Sequence, residues 1–329
     1  MKTFKALVAE EENGRFVQTI QNLRIDDLPD HDVLIRVHYS SLNYKDALSA
    51  TGNKGVTKSY PFTPGIDAAG VVEKSSDDRF KTGEEVIVTS YDLGMNTPGG
   101  FGEFISVPGD WIVPLPEGLT LKESMIIGTS GLTAAIGVEK IVHQNIKPDD
   151  GDVLVTGATG GVGSFAVGLL SQLGYSVIAA TGKTDQDDFL KNLGAAKIIH
   201  RDKITDVSDK PLLKSNWIAA LDTVGGKMLD CVIRQTEHNG VVTCCGNVLG
   251  GELNTSIYPF ILRGVSLMGI DSGIALMEDR KRIWSSLAAE WKPEFLKDIY
   301  REVGLDDLIK EIPKILAGKQ VGKVLVKIS

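Results

Sequence analysis

Val153-Leu154-Val155-Thr156-Gly157-Ala158-Thr159-Gly160-Gly161-Val162-Gly163-Ser164-Phe165-Ala166 decides the fold of this 329-residue chain. The first four residues read as a short buried strand, and the glycines break it without a polar loop. Val162, Phe165, Ala166, Leu169, Leu170 and Leu173 then recur at helical spacing on one face, up to a stop at Gly174. A strand, a glycine-rich turn and a helix start form the setting that holds a dinucleotide. In the Gly-x-Gly-x-x-Gly frame the three places fall on Ala158, Gly160 and Gly163. Gly160 lets backbone amides approach a pyrophosphate, and Gly163 lets the helix lie close on its strand. The helix N-terminus adds unpaired N–H groups and a partial positive charge. Ala158 departs from the pattern, while Gly157 and Gly161 keep the turn permissive. Ala158, Thr159, Gly160, Gly161, Val162 and Gly163 are therefore expected to contact the cofactor. The alternative is a tight turn that holds no ligand.

The next strand, Ser176–Ala180, selects the cofactor by its tip. An NAD site places Asp or Glu there to accept from the ribose 2′-OH. This chain instead reads Ala180-Thr181-Gly182-Lys183-Thr184, with no acid before Asp185. Thr181, Gly182 and Lys183 suit a 2′-phosphate, and Lys197 and Arg201 lie one strand further on to add charge. The expected cofactor is NADPH. The competing reading makes Lys183 a solvated lysine at a helix start.

Outward from this turn, strand and helix alternate from Gly151 onward, the mark of a parallel sheet. A helix is expected over Asp185–Leu193, and further strands at Lys197–His200, Ile218–Leu221, Val241–Cys245 and Ser266–Ile270. A helical stretch surrounds Arg280–Trp291. The first third is different: short β runs at Phe4–Val8, Phe16–Ile20, Val33–Val37, Ala68–Val72, Val86–Thr89 and Phe104–Val107 leave little room for crossover helices. Between the two textures, Lys122–Val142 reads as a helix broken at Gly128. The closing run Val324–Ile328 is a strand with no helix after it, so it is expected to return to the first domain. The fold class is α/β. A β-barrel domain (1–121 with 296–329) carries an inserted doubly wound parallel-sheet domain (122–295).

Bulk properties narrow the partners. The 35 basic and 43 acidic residues leave a net charge of −8, which gives no electrostatic reason to bind nucleic acid or an anionic membrane. Cys231, Cys244 and Cys245 are too few and too irregular for a disulfide framework. The chain starts into Glu10-Glu11-Glu12 without an apolar leader, and no run reaches the length of a membrane span. A cytoplasmic protein is expected.

Several segments resemble the zinc-free quinone oxidoreductase branch of the medium-chain dehydrogenase/reductase superfamily, over essentially the full length. They are Ser40-Ser41-Leu42-Asn43-Tyr44-Lys45-Asp46, Pro64-Gly65-Ile66-Asp67-Ala68-Ala69-Gly70, Gly128-Thr129-Ser130-Gly131-Leu132-Thr133-Ala134 and Leu221-Asp222-Thr223-Val224-Gly225-Gly226. Asn43-Tyr44-Lys45-Asp46, Thr181-Gly182-Lys183 and Pro259-Phe260-Ile261-Leu262-Arg263 are similar to the YhdH/YhfP subgroup, which includes acrylyl-CoA reductases. The resemblance implies a GroES-like catalytic domain beside a Rossmann domain. It departs from the zinc alcohol dehydrogenases, which have a Cys near Asn43–Tyr44 and Gly-His-Glu in place of Gly65-Ile66-Asp67. Isoleucine cannot ligate a metal, and residues 85–110 hold no cysteine for a structural zinc lobe. No metal is expected.

Without a Lewis acid, quinones and activated C=C bonds suit the site better than alcohols, because their developing oxyanion needs only hydrogen-bond donors. The resemblance points to Tyr44 and Asn43 as those donors. Tyr44 is a general acid or a contact to the nicotinamide, or else a tyrosine satisfied by backbone. Asp67 orients its neighbours or takes part in catalysis. The resemblance also implies that Asn247, Ile261 and Ser272 line the cofactor, while Thr129 either contacts its nicotinamide end or caps the Gly131–Ala135 turn. Arg263 is either an anchor for a substrate anion or a structural partner. An enoyl thioester reductase of the acrylyl-CoA type and a quinone reductase share all these motifs. A third reading is an NADPH-binding sensor or structural protein with little turnover. A homodimer is the family expectation, through Ser266–Ile270 at a sheet edge.

Overall fold

A computed structural model, describing residues 2–329, sets Asn13 and Gly14 at φ of 51° and 75°. Two successive positive φ values are what a type I′ turn demands. That turn joins β1 (Thr3–Glu12) to β2 (Arg15–Arg24) as a hairpin. There follow β3 (Val33–Leu42), α1 (Tyr44–Ala50), β4 (Asp67–Ser75), β5 (Glu85–Thr89), β6 (Phe104–Val107), β7 (Ile112–Pro114) and α2 (Leu121–His143). The alternating segment comprises β8 (Val153–Thr156), α3 (Gly161–Gln172), β9 (Val177–Thr181), α4 (Asp187–Asn192), β10 (Lys197–His200), β11 (Trp217–Asp222), α5 (Gly226–Arg234), β12 (Thr236–Cys244), α6 (Tyr258–Arg263) and β13 (Ser266–Gly269). The chain closes with α7 (Met277–Ala288), α8 (Leu296–Ile299), β14 (Tyr300–Gly304), α9 (Leu308–Leu316) and β15 (Lys323–Lys327).

Two compact units result. The first runs to Thr129 and takes in Gly273–Ala289 and Tyr300–Ser329; the second is Ser130–Ser272 with Glu290–Ile299. The first thus gains Gly273–Ala289, which falls inside the 122–295 span expected of the nucleotide domain. The reason is the buried stripe of α7, Arg280, Ile283, Trp284, Leu287 and Ala288, at helical spacing. Its partners include Thr89 and Tyr91 of the first unit.

In the first unit one sheet has the order β14-β15-β3-β4-β5-β7, with β6 also on β3. Register shifts at Leu34/Ile35 and Val37/Tyr39 bend β3, so that its first half pairs with β6 and its second half with β15. Such bulges curl a sheet toward a barrel. The terminal strand β15 therefore does return to the first unit. Val33, Ile35, Val37, Val86, Val88 and Ile105 fill the interior.

In the second unit the sheet has the order β10-β9-β8-β11-β12-β13, and every pairing in it is parallel. Strand order reverses between β8 and β11, and the crevice outside their carboxyl ends is where such sheets bind ligands. Leu154, Ile178, Trp217, Ala220, Val232 and Val242 form a core on one face.

Helix α2 corrects one expectation. It is long and apolar enough to cross a membrane, but most of it is buried inside the fold. Gly128, at φ 50° and ψ −163°, also interrupts it, as its sequence suggested. It is a core helix.

Candidate functional site

The quoted turn folds as its glycines dictate. Gly157 adopts φ 58°, and Gly160 N–H donates to Gly157 O at 2.9 Å, closing the turn. A Cβ on Gly163 would lie 2.3 Å from Gly157 O and 2.8 Å from Ala158 Cα. Only a glycine lets α3 sit this close to β8. At Gly160, the N-cap, no side chain caps the helix. The amides of Gly161, Val162 and Gly163 have no intrahelical acceptor, so they are left to an anion. The cradle fits a pyrophosphate. Ala158 is fully buried and its N–H donates to Ala180 O, which ties the turn to the neighbouring strand. Thr159 Oγ1 and Thr181 Oγ1 meet at 3.2 Å.

At the tip of β9, Thr181 Oγ1 accepts from Lys183 N–H at 3.1 Å, which shapes the turn through Gly182. Lys183 is half-buried, and burial lowers its ammonium pKa while Asp185 raises it. Lys197 does not belong to this tip. In the parallel register His200 pairs with Thr181, whereas Lys197 pairs with Ile178. At ~3.3 Å per residue, Lys197 starts its strand about 10 Å from the ligand-binding edge. Arg201 is the cation that reaches the tip: its Nε lies 3.0 Å from where a Gly182 Cβ would be.

The later residues divide. Asn247 is exposed in the loop after β12, beyond a carboxyl end. Ser272 is nearly buried, and its hydroxyl meets Thr133 Oγ1 at 2.6 Å. Ile261 stands on α6, 62% exposed, and not at a strand end. Arg263 donates to the carbonyls of Arg234, Thr236 and Leu213, so it holds backbone rather than a substrate anion. Asp222, whose role sequence reasoning did not read, staples the switch point. It is fully buried, accepts from Thr156 Oγ1 at 2.7 Å and from Gly225 N–H at 2.7 Å, and burial raises its pKa. Beside it, burial raises the Cys244 thiol and pushes the Cys245 thiol up to about 12, so neither is a thiolate at neutral pH.

Within the first unit the expected catalytic residues gather around Asp67. Its carboxylate is fully buried and surrounded by donors. Ser41 Oγ donates to Oδ2 at 2.5 Å, Asn43 Nδ2 to Oδ2 at 2.8 Å, and Thr129 Oγ1 to Oδ1 at 2.6 Å. Thr129 N–H straddles both oxygens at 3.1 and 3.0 Å. Thr129 reaches the carboxylate because the helix breaks at Gly128. Lys323, buried at the start of β15, donates from Nζ to Ser41 Oγ at 3.1 Å and to Asn43 Oδ1 at 3.3 Å. A hydroxyl and an amide thus bridge the ammonium to the carboxylate. Asp46 completes the cluster by accepting from Asn43 N–H and Ile66 N–H, each at 2.7 Å. Burial, then the nearby Asp67 charge, pushes Asp46 up to about 7, while burial pulls Lys323 down against the pull of Asp67 and Asp46.

This arrangement separates Asn43 from Tyr44. The Asn43 amide is spent inward, with Nδ2 on Asp67 and Ser41 O and Oδ1 on Lys323. Tyr44, the next residue and the first of α1, is 43% exposed, and its hydroxyl has no partner among the described residues. Tyr44 is the donor that remains available. The Asp67 oxygens are saturated by the chain's own donors and Ile66 beside them is apolar, so this donor set does not suit a metal ion. Among the described residues no group of three His, Cys, Asp or Glu side chains could hold one.

Family profiles match the chain in two places: an alcohol dehydrogenase GroES-like domain over residues 29–117 and a zinc-binding dehydrogenase over residues 161–288. It is 44% identical to a Bacillus subtilis protein named "Putative quinone oxidoreductase YhfP", with 99% of each chain covered. The structure of that bacterium's yhfP with NAD bound matches with a TM-score of 0.96, covering 99% of this chain and 100% of that one. The acrylyl-CoA reductase AcuI of Ruegeria pomeroyi is 40% identical, again over 99% of each chain. The yhdH oxidoreductase of Salmonella enterica in complex with NADP matches at 43% identity and a TM-score of 0.96, covering 99% of this chain and 100% of that one. With both domains matched and relatives alike from end to end, the chain belongs to the medium-chain dehydrogenase/reductase family, in its YhdH/YhfP subgroup.

Proposed function

We propose that the chain is an NADPH-dependent reductase of conjugated acceptors, either a quinone or an enoyl thioester of the acrylyl-CoA kind, working without zinc. The observation that carries this reading is the division of labour at the start of α1. Asn43 is locked to Asp67 and Lys323, and the hydroxyl of Tyr44 beside it has no partner among the described residues. Both acceptor types have an electrophilic carbon conjugated to a carbonyl, and reduction moves negative charge onto that oxygen. A single preorganised hydroxyl is enough to receive it. NADPH, when bound, supplies a hydride from C4 of its nicotinamide. Tyr44 donates to the acceptor oxygen and passes its proton there, and its exposure lets solvent restore that proton. Asn43, Asp67 and Lys323 hold the first turn of α1, and with it the position of Tyr44.

On the second unit, the amides of Gly161–Gly163 face the pyrophosphate. Thr181, Lys183 and Arg201 take the 2′-phosphate, and Asn247 and Ser272 line the cofactor. Relatives support this reading in their own names: one is called a quinone oxidoreductase, one an acrylyl-CoA reductase, and one was crystallised with NADP. NAD bound to yhfP makes the 2′-phosphate contact the point to test. Lys183→Glu replaces a charge-assisted contact by repulsion, so the NADPH dissociation constant should rise about 10- to 100-fold while NADH affinity holds. Equal losses for the two cofactors in a fluorescence titration would refute the assignment.

The reading as a whole is tested by following NADPH oxidation against acrylyl-CoA, a simple enone and several quinones. Preference for the thioester or for a quinone names the acceptor. No turnover on any of them would favour a sensor or structural role and sink the proposal. Tyr44→Phe should lower kcat about 100-fold, the usual effect of removing one such donor, with the NADPH dissociation constant unchanged. An unaltered kcat would take Tyr44 out of the chemistry. A homodimer through the outer edge of β13 goes with this reading, since β13 has a strand partner on one side only. A monomer mass in sedimentation would remove it.

A further inference from the structure

The hydrogen bonds that end on Asp67 begin beyond Thr129. The single hydroxyl proton of Thr129 goes to Asp67 Oδ1, so in the 2.9 Å contact with Ser90 Oγ the serine is the donor. Ser90 and Tyr91 follow β5 directly, with φ of 60° and 52°. Neither is glycine, and two successive side chains in the left-handed region persist only where their surroundings impose it. Ser90 N–H donates to Ile66 O at 2.7 Å, and Tyr91 N–H to Gly273 O at 3.0 Å. The Tyr91 hydroxyl donates to Ala275 O at 3.3 Å, and its ring stacks on Trp111, 5.8 Å away and 9° from parallel.

Arg280 braces the whole turn. It occupies a place in the buried stripe of α7 that a hydrophobic residue would normally fill, and it is fully buried. Nη1 donates to Thr89 O at 3.0 Å and Thr89 Oγ1 at 2.7 Å, and Nη2 to Gly273 O at 3.2 Å. Its guanidinium lies 4.4 Å from the Tyr91 ring centroid. Thr89 is the residue before Ser90 and the register partner of Asp67 on the neighbouring strand. A buried cation therefore grips the turn at its start and, through Gly273, at the carbonyl that holds Tyr91. Burying an arginine is costly unless its donors are used, and here both terminal nitrogens are used on a strained turn. Of the two side chains in that turn, one is aimed at the Asp67 cluster.

We infer that Arg280 and Ser90 are positioning residues for the reduction. The Arg280-braced turn fixes the Ser90 hydroxyl, which fixes the Thr129 hydroxyl on Asp67 and so completes the cluster that places Tyr44. This rests on the proposed function, in which Tyr44 is the donor.

Stability and activity move in opposite directions under this inference, which separates it from a merely structural brace. Ser90→Gly removes the hydroxyl but relieves the positive φ. It should leave the thermal midpoint equal or higher and NADPH affinity within about twofold, while kcat falls about fivefold to tenfold, the factor that one hydrogen bond is worth. Ser90→Thr keeps the hydroxyl on a residue ill-suited to positive φ, so it should lower the midpoint yet recover most of the lost kcat. Arg280→Lys keeps the cation and loses the fork. The Ser90→Gly/Arg280→Lys pair should be no slower than the slower single variant, because both act along one path. Wild-type kcat in Ser90→Gly, or effects that multiply in the pair, would overturn the inference while the reductase reading stood. A wild-type protein that turns over no acceptor would overturn both.

Discussion

Gly163→Ala is expected to raise the NADPH dissociation constant at least 100-fold and to lower stability by about 1–3 kcal/mol, the usual cost of forcing a methyl into a packed contact. The added Cβ would lie 2.3 Å from Gly157 O. That carbonyl accepts the Gly160 amide, so it cannot yield without opening the turn. Helix α3 must instead lift from β8, and its N-terminal amides leave the phosphate position together. Two charge-assisted hydrogen bonds lost at about 1.5–3 kcal/mol each account for the drop in affinity. Gly160→Ala is the control. Its φ of −81° suits any residue, and a Cβ there would lie 3.3 Å from Gly157 O. It should leave the thermal midpoint nearly unchanged and still weaken NADPH, because the methyl occupies space that the pyrophosphate needs. Calorimetric titration of both variants decides the matter. Tight NADPH binding by Gly163→Ala would show that the turn is structural only.

The nucleotide unit was legible from its sequence for a physical reason. A strand buried on both faces reads as an unbroken apolar run, and its turn needs glycines at fixed places, so both signals are local. Helices α5 and α9 were not read. The first is only Gly226–Arg234, and the second has Pro313 inside Leu308–Leu316, where a proline argues against a helix. Lys197 was misplaced because sequence proximity to a strand does not give its register. Arg201, three residues beyond that strand's second residue, ends at the tip because the parallel pairing with β9 puts His200 opposite Thr181.

The cluster in the first unit was only half legible. Asn43, Tyr44, Asp67 and Thr129 lie in motifs, and the structure brings Asn43, Asp67 and Thr129 into one network. Lys323, Arg280 and Ser90 carry no local sign. A lysine at the start of Lys323–Lys327 reads as a solvated strand end, and an arginine in α7 as a surface residue. Their burial follows from sheet pairing and helix docking across long separations in sequence, which no periodicity records. The same geometry reassigned Asn43. Its residue type suggests a donor to substrate, but both ends of its amide are spent on Asp67 and Lys323.

Gly128→Ala should cost about 4 kcal/mol or more. With φ 50° and ψ −163°, Gly128 sits in a region that residues with a Cβ enter only at about 1–3 kcal/mol. The methyl would also lie 2.6 Å from both Asp67 Oδ2 and Ser41 Oγ, and 3.3 Å from Lys323 Nζ. Both sources of strain act on the bridged pair. Pushing Ser41 aside leaves Lys323 and Asp67 buried without one of their two bridges, and breaking a buried charge network costs about 3–5 kcal/mol. Against a total of about 5–15 kcal/mol for a folded domain, the loss is a large fraction. A thermal melt should show the midpoint falling by about 10 °C or more. What survives folding should be slow, because Thr129 is reached only through this break in α2, and without its two donors Asp67 no longer fixes Asn43 at the start of α1. A midpoint within 2 °C of wild type, at unchanged kcat, would mean that the carboxylate pocket has room for a methyl and that Gly128 does not hold the cluster together.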